Sequence, residues 1–105
     1  MDEAEFDAQA SAALEALERA LEETDLDFEL KAGGVLEIEF DDASKIIVNR
    51  HAAAREIWVA ARSGGFHFRW DGTAWRDTRS GAELFGALSE LVSGPLGRSI
   101  RLRVG

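Results

Sequence analysis

Cysteine is absent from this 105-residue chain. That excludes disulfides and thiolate metal ligands, and it fits a reducing, cytoplasmic setting. Histidine is scarce, with only His51 and His67, so a metal site would rest mainly on oxygen donors. The two are not at the i, i+4 spacing of a helical metal pair, and neither is expected to be a ligand. No stretch approaches the ~18 apolar residues of a membrane span. Met1–Ala10 is acidic where a signal peptide would be basic and then apolar, so no targeting segment is expected there. Catalytic patterns are missing too. No cysteine nucleophile exists, no serine sits in a nucleophile elbow, and neither Gly33-Gly34 nor Gly64-Gly65 opens a helix in a phosphate-binding context.

Positive charge is the other shortage, and it is local. Up to Asp42 there are 15 acids against 2 bases, Arg19 and Lys31, whereas the remainder holds 5 acids and 10 bases for a net charge of -8. An acidic pole and a basic half steer different partners, and nucleic acid is excluded from the acidic pole. A chain of this length buries somewhat over ~60% of its unfolded surface, enough for one core, and a single domain over residues 1–105 is expected.

Periodicity predicts the elements. From about Glu3 to Glu23, Phe6, Ala10, Ala13, Leu14, Leu17 and Leu21 recur on one helical face, with Glu15, Glu18 and Glu22 in a stripe beside it. Asp2 is a weak candidate cap. The period then becomes two. Leu26, Phe28 and Leu30 alternate with Asp25, Asp27 and Glu29, and Leu36, Ile38 and Phe40 follow after a glycine turn. Lys45–Arg50 is apolar on both faces and reads as a central strand. His51 to Arg55 reads as a connector. Ile57, Val59 and Ala61 face one way in the next strand, leaving Trp58 on the other. Phe66, Phe68 and Trp70 alternate with His67 and Arg69, and Asp71-Gly72 returns the chain through Trp75.

Ser80-Gly81-Ala82-Glu83 reads as a capping box opening a second helix, stopped by Gly94-Pro95. Ser99 to Val104 reads as a last short strand. Hairpin-length connections make the sheet antiparallel, and two one-faced helices can cover one side of it. The fold class is α+β: a two-layer sandwich with both helices on one face.

The feature with most functional content runs from Glu15 to Glu29. It carries Glu15, Glu18, Glu22, Glu23, Asp25, Asp27 and Glu29 against the single base Arg19. Neighbouring carboxylates oppose one another's ionisation, so solvent, a cation or a basic partner must offset the repulsion. Glu22 and Glu23 also stand at a helix C-terminus, where the helix dipole disfavours negative charge. Carboxylate and water ligands suit hard or borderline cations such as Fe, Mn or Ca.

As a set, Gly33-Gly34-Val35-Leu36, Ser44 to Arg50, Ile57-Trp58-Val59-Ala60 and Gly64-Gly65-Phe66-His67-Phe68 resemble the frataxin family, most closely its short bacterial members. The acidic first helix and the Trp75 hairpin add to the resemblance, which covers essentially the whole chain. It implies an iron-binding protein, holding Fe2+ or Fe3+ weakly, that meets the cysteine desulfurase and scaffold of iron–sulfur cluster assembly. It implies iron ligands among Glu18, Glu22, Glu23, Asp25 and Asp27; the charge run adds Glu15. The family's exposed sheet patch corresponds to Asn49 and Trp58. Periodicity puts His67 nearby. Partner contact is thus expected at Glu18, Glu22, Asp25, Asn49, Trp58 and His67, because an uncovered tryptophan on a rigid sheet is a good anchor. The chain is expected to be mainly monomeric, with iron-dependent oligomers conceivable through shared carboxylates. A metal-independent acidic inhibitor of a basic partner and a weak ferroxidase are the competing readings.

Overall fold

A computed structural model describes residues 1–103. Asp2 caps the first helix, α1 (Glu3–Glu22), by accepting a hydrogen bond from the Glu5 N–H at 2.8 Å, a contact of the kind typically worth ~1 kcal/mol. The apolar stripe of α1 is buried from Phe6 to Leu21, widened by Ala16 and Ala20.

Six strands follow: β1 (Asp27–Lys31), β2 (Val35–Glu39), β3 (Lys45–His51), β4 (Glu56–Ala61), β5 (Gly64–Trp70) and β6 (Trp75–Asp77). A second helix, α2, spans Leu84–Leu96. Each strand pairs antiparallel with the next, so the sheet is a six-stranded meander in chain order. Its inner face carries Leu36, Ile38, Ile46, Val48, Ile57, Val59 and Phe68 into one cluster with Phe6, Leu17, Leu21, Leu88 and Val92. This is the expected two-layer α+β sandwich, and β3 and β4 lie at its centre.

Arg50 is the charged member of the inner row. Its guanidinium bonds Asp7 and the Ser11 hydroxyl of α1 and lies 5.5 Å from the centre of the Phe6 ring. The side chain thus ties β3 to the first helix with a charge that is paired and hydrogen-bonded. The room for it comes from Gly34 (φ +75°), where an added Cβ would fall 2.5 Å from Arg50 Cδ.

The structure corrects several local expectations. Leu30 is half-exposed rather than buried, since it sits on the edge strand β1 near the glycine turn. His51 is the last residue of β3, paired with Glu56, and not part of the connector. The second helix does not begin at a Ser80 capping box. Gly81 (φ +77°) closes a turn back onto Asp77, and Glu83 then lies extended against β6, held by Asp77 N–H to Ala82 O and by a bridge between Arg76 and Glu83. Glu83 is itself the cap, accepting from the Phe85 and Gly86 N–H groups.

Nor does Gly94-Pro95 stop α2. Pro95 sits in the last turn, and the helix ends at Gly97, whose left-handed φ of 67° lets its N–H reach Ser93 O and Gly94 O. The expected strand from Ser99 is absent among the described residues, and Val104 lies outside them. That segment pairs with no strand among the described residues. Its Ile100 and Leu102 N–H groups donate to the hydroxyls of Ser93 and Ser89 on α2, both at 2.8 Å, while Leu102 is buried. Among the described residues no helix is long and apolar enough to cross a membrane.

Candidate functional site

Two surfaces remain once the core is assigned. The first is the acidic one. Glu15 and Glu22 are exposed on α1, as is Glu23 at its C-cap, and Glu18 is half-buried. Thr24 closes the helix–strand joint, donating its hydroxyl to Leu21 O and accepting from the Leu26 N–H. That short joint delivers the acids of α1 and β1 to the same end of the chain path. Asp25 is exposed yet not free, because Arg98 donates to it at 2.6 Å from beyond α2. The composition alone had set only Arg19 against this run.

On the outer sheet face, hairpin register sets Asp27 opposite Glu39 and Glu29 opposite Glu37. Four carboxylates thereby share the outer face of two neighbouring strands. Lys31 and Lys45 offset part of this by binding Glu37 at 3.1 and 3.2 Å. These bonds, Lys31 first, hold the Glu37 carboxyl below its ordinary range and, in return, raise Lys31. Asp27, Phe28, Glu29, Glu37, Glu39 and Lys45 line a shallow depression of about 140 Å³. The part played by Glu37 and Glu39 was missed in the sequence, although counting back from the Gly33-Gly34 turn fixes their register.

Among the described residues, no three carboxylates or histidines converge as a metal-binding group. Glu15, Glu18, Glu22, Glu23, Asp25 and Asp27 form a field of oxygen donors rather than a coordination shell. Such a field attracts cations and basic surfaces at a distance, and screening limits its reach to ~8–10 Å in physiological salt.

The second surface is the uncovered centre of the sheet. Asn49, Trp58 and His67 are directly opposite one another on β3, β4 and β5. Trp58 points outward, but it is half-buried between two imidazoles. His51 stacks on it at 3.8 Å and 11°, and His67 at 4.5 Å and 10°. Beneath lies Glu56, 6% exposed. It accepts from Trp58 Nε1 at 2.8 Å and Arg69 Nε at 2.6 Å, with His67 Nδ1 3.6 Å away. Burial opposes ionisation of Glu56, but the bonds from Trp58 and Arg69 outweigh it and hold the carboxyl below its usual range. Sequence reasoning missed Glu56 and His51. The available signal was that Glu56 and Trp58, two apart on one strand, share its polar face.

Among the described residues four side-chain carboxyls are depressed in the folded chain. Backbone N–H groups of Thr73 and Ala74 hold Asp71, the Ser44 hydroxyl and N–H hold Asp42, and Glu37 and Glu56 are held as described. Depressed carboxyls make the unfolded chain the better proton binder, so their contribution is full above the unfolded pKa values and is lost as pH falls through the folded ones. Thermal melts from pH 2 to 8 should therefore show a melting temperature that declines below about pH 4. A profile flat down to pH 2 would contradict these pairings.

An open antiparallel meander with two helices on one face, an acidic edge and a bare aromatic centre defines the frataxin-like class. The frataxin-like domain model matches residues 1–98, and the chain belongs to that family. It is 64% identical over 105 residues to the iron-sulfur cluster assembly protein CyaY of Dechloromonas aromatica (strain RCB), covering 98% of this chain and all of that one. Among solved structures, frataxin from Psychromonas ingrahamii superposes with a TM-score of 0.89 at 27% identity, over 98% of this chain and 99% of the other. Trimeric frataxin from the yeast Saccharomyces cerevisiae, in a ferrous complex, gives 0.66 at 25% identity over 93% and 88%.

Proposed function

We propose that this chain serves iron–sulfur cluster assembly as a weak iron binder and docking regulator, not as an enzyme. The carrying observation is the run of exposed carboxylates that crosses from the end of α1 into β1 and β2 and is only partly offset by Arg98, Lys31 and Lys45. Hard oxygen donors that do not converge favour ions held weakly, at several places and with fast exchange. The same field suits a basic patch on a cysteine desulfurase, while Asn49, Trp58 and His67 meet the assembly on the sheet face. Binding should be electrostatic in its approach and salt-sensitive in its rate. The protein acts in the cytoplasm, mainly as a monomer, and shared carboxylates offer a route to iron-bridged oligomers.

A second reading draws on the absence of converging ligands among the described residues: the acids serve only the basic partner and metal is incidental. An amide NMR titration separates the two. Mg2+ or another redox-inactive divalent ion and, separately, the desulfurase are each expected to shift Glu18 to Glu29, with metal weakening partner binding. If the partner shifts those amides and the ion does not, the iron assignment falls and the docking surface stays.

A further inference from the structure

We propose that Glu56 is a positioning residue that, with His51 and His67, presents Trp58 to a partner edge-on. This deepens, and rests on, the reading that the sheet face is a contact surface.

The six outward side chains at the sheet centre form two rows of three. Asn49, Trp58 and His67 make one, and His51, Glu56 and Arg69 the other. A surface tryptophan ordinarily offers a partner three things: a ring face for stacking, an N–H to donate, and a carbon edge. Here two are already used. Both ring faces are covered by imidazoles lying within 11° of parallel. The N–H is spent on Glu56 at 2.8 Å. What is left for a partner is the carbon edge of the ring. It suits a narrow apolar slot and excludes recognition by stacking on the indole or by an acceptor aimed at its N–H.

Glu56 is built for this task. Its side chain is 7% exposed, a position that stays charged only when paired. Arg69 supplies the pairing from the neighbouring strand, and its guanidinium is itself exposed, so the bond orients Glu56 from the solvent side. His51 is fixed in turn, because its Nδ1 accepts from the Ala54 N–H of the following turn at 3.3 Å. The anchor is therefore ordered before any partner arrives, which lowers the entropy cost of using it.

The test uses the full chain with Glu56→Ala, Glu56→Gln and Trp58→Ala. Trp58→Phe assigns the indole resonance, and hydrogen exchange of that N–H is read beside affinity for the assembled desulfurase–scaffold complex. Glu56→Ala should speed indole exchange about tenfold or more and weaken partner binding roughly five- to twentyfold. Glu56→Gln retains an acceptor and should keep the indole protected, with affinity within about threefold of the parent. Unchanged exchange and affinity in Glu56→Ala, with binding lost in Trp58→Ala, would overturn the positioning role. Unchanged affinity in Trp58→Ala would instead overturn the sheet-face reading and the anchor with it. Should Glu56→Ala fail to fold, Arg69→Ala removes the orienting partner and is expected to loosen the same indole; an indole as protected as in the parent counts against the proposal.

Discussion

Changing Glu18→Gln, Glu22→Gln, Asp25→Asn and Asp27→Asn together should weaken Fe(II), Fe(III) and desulfurase binding by about tenfold or more, while leaving the fold at least as stable. The two effects run in opposite directions for one reason. Three of these side chains are exposed and Glu18 is half-buried, and among the described residues the only ion-pair partner of any of them is Arg98 on Asp25. Their cost in the free protein is mutual repulsion, which the substitutions remove. Their benefit appears only when a cation or a basic surface is present. The parent's partner affinity should fall steeply as salt rises, and that of the variant should fall less, because fewer charges are left to screen. Isothermal titration at two ionic strengths reads both quantities. Parent-like affinity for both iron and desulfurase would remove the acidic field from the mechanism. A large drop in melting temperature would show the acids to be structural.

Much of the fold was legible because it depends on period alone. The inner row of Leu36, Ile38, Ile57, Val59 and Phe68 follows from alternation, and the buried face of α1 follows from helical spacing. Where the reading failed, a contact between distant segments had won over a local rule. Ser80 obeys the capping pattern, yet Arg76 and Asp77 hold Ala82 and Glu83 against β6, so Glu83 takes the cap. Ser99 to Leu102 alternates like a strand, but the hydroxyls of Ser89 and Ser93 take its N–H groups. The site divides in the same way. The acids were countable in the sequence, and Trp58 was placed outward by the apolar face of its own strand. Its sandwich was not legible, since His51 lies seven residues away and read as a connector. The pairing of Asp25 with Arg98 crosses 73 positions and leaves no local signal.

The C-terminal segment should separate stability from function in two single substitutions. Leu102 is 2% exposed, and its N–H is fixed to Ser89 Oγ, which in turn donates to Phe85 O inside α2. Leu102→Ala removes buried methyl groups at a site pinned on both sides, so the cavity cannot easily collapse. The expected loss is about 2–4 kcal/mol, a large part of the ~5–15 kcal/mol that holds a small domain together. At roughly 4–8 °C per kcal/mol, the melting temperature should fall by about 10–25 °C. Four positions away, Arg98 is half-exposed and its ion pair with Asp25 lies at the surface, where such pairs contribute under ~1 kcal/mol. Arg98→Ala should therefore melt within a few degrees of the parent. It nevertheless unmasks the Asp25 carboxylate and deepens the local negative field, so divalent-ion affinity should rise about two- to fivefold. Thermal melts and ion titrations of both variants decide the matter. Leu102→Ala melting like the parent would mean that the segment is not docked. Arg98→Ala with unaltered ion affinity would mean that Asp25 takes no part in binding, and the acidic field would then rest on α1 and the outer face of β1 and β2.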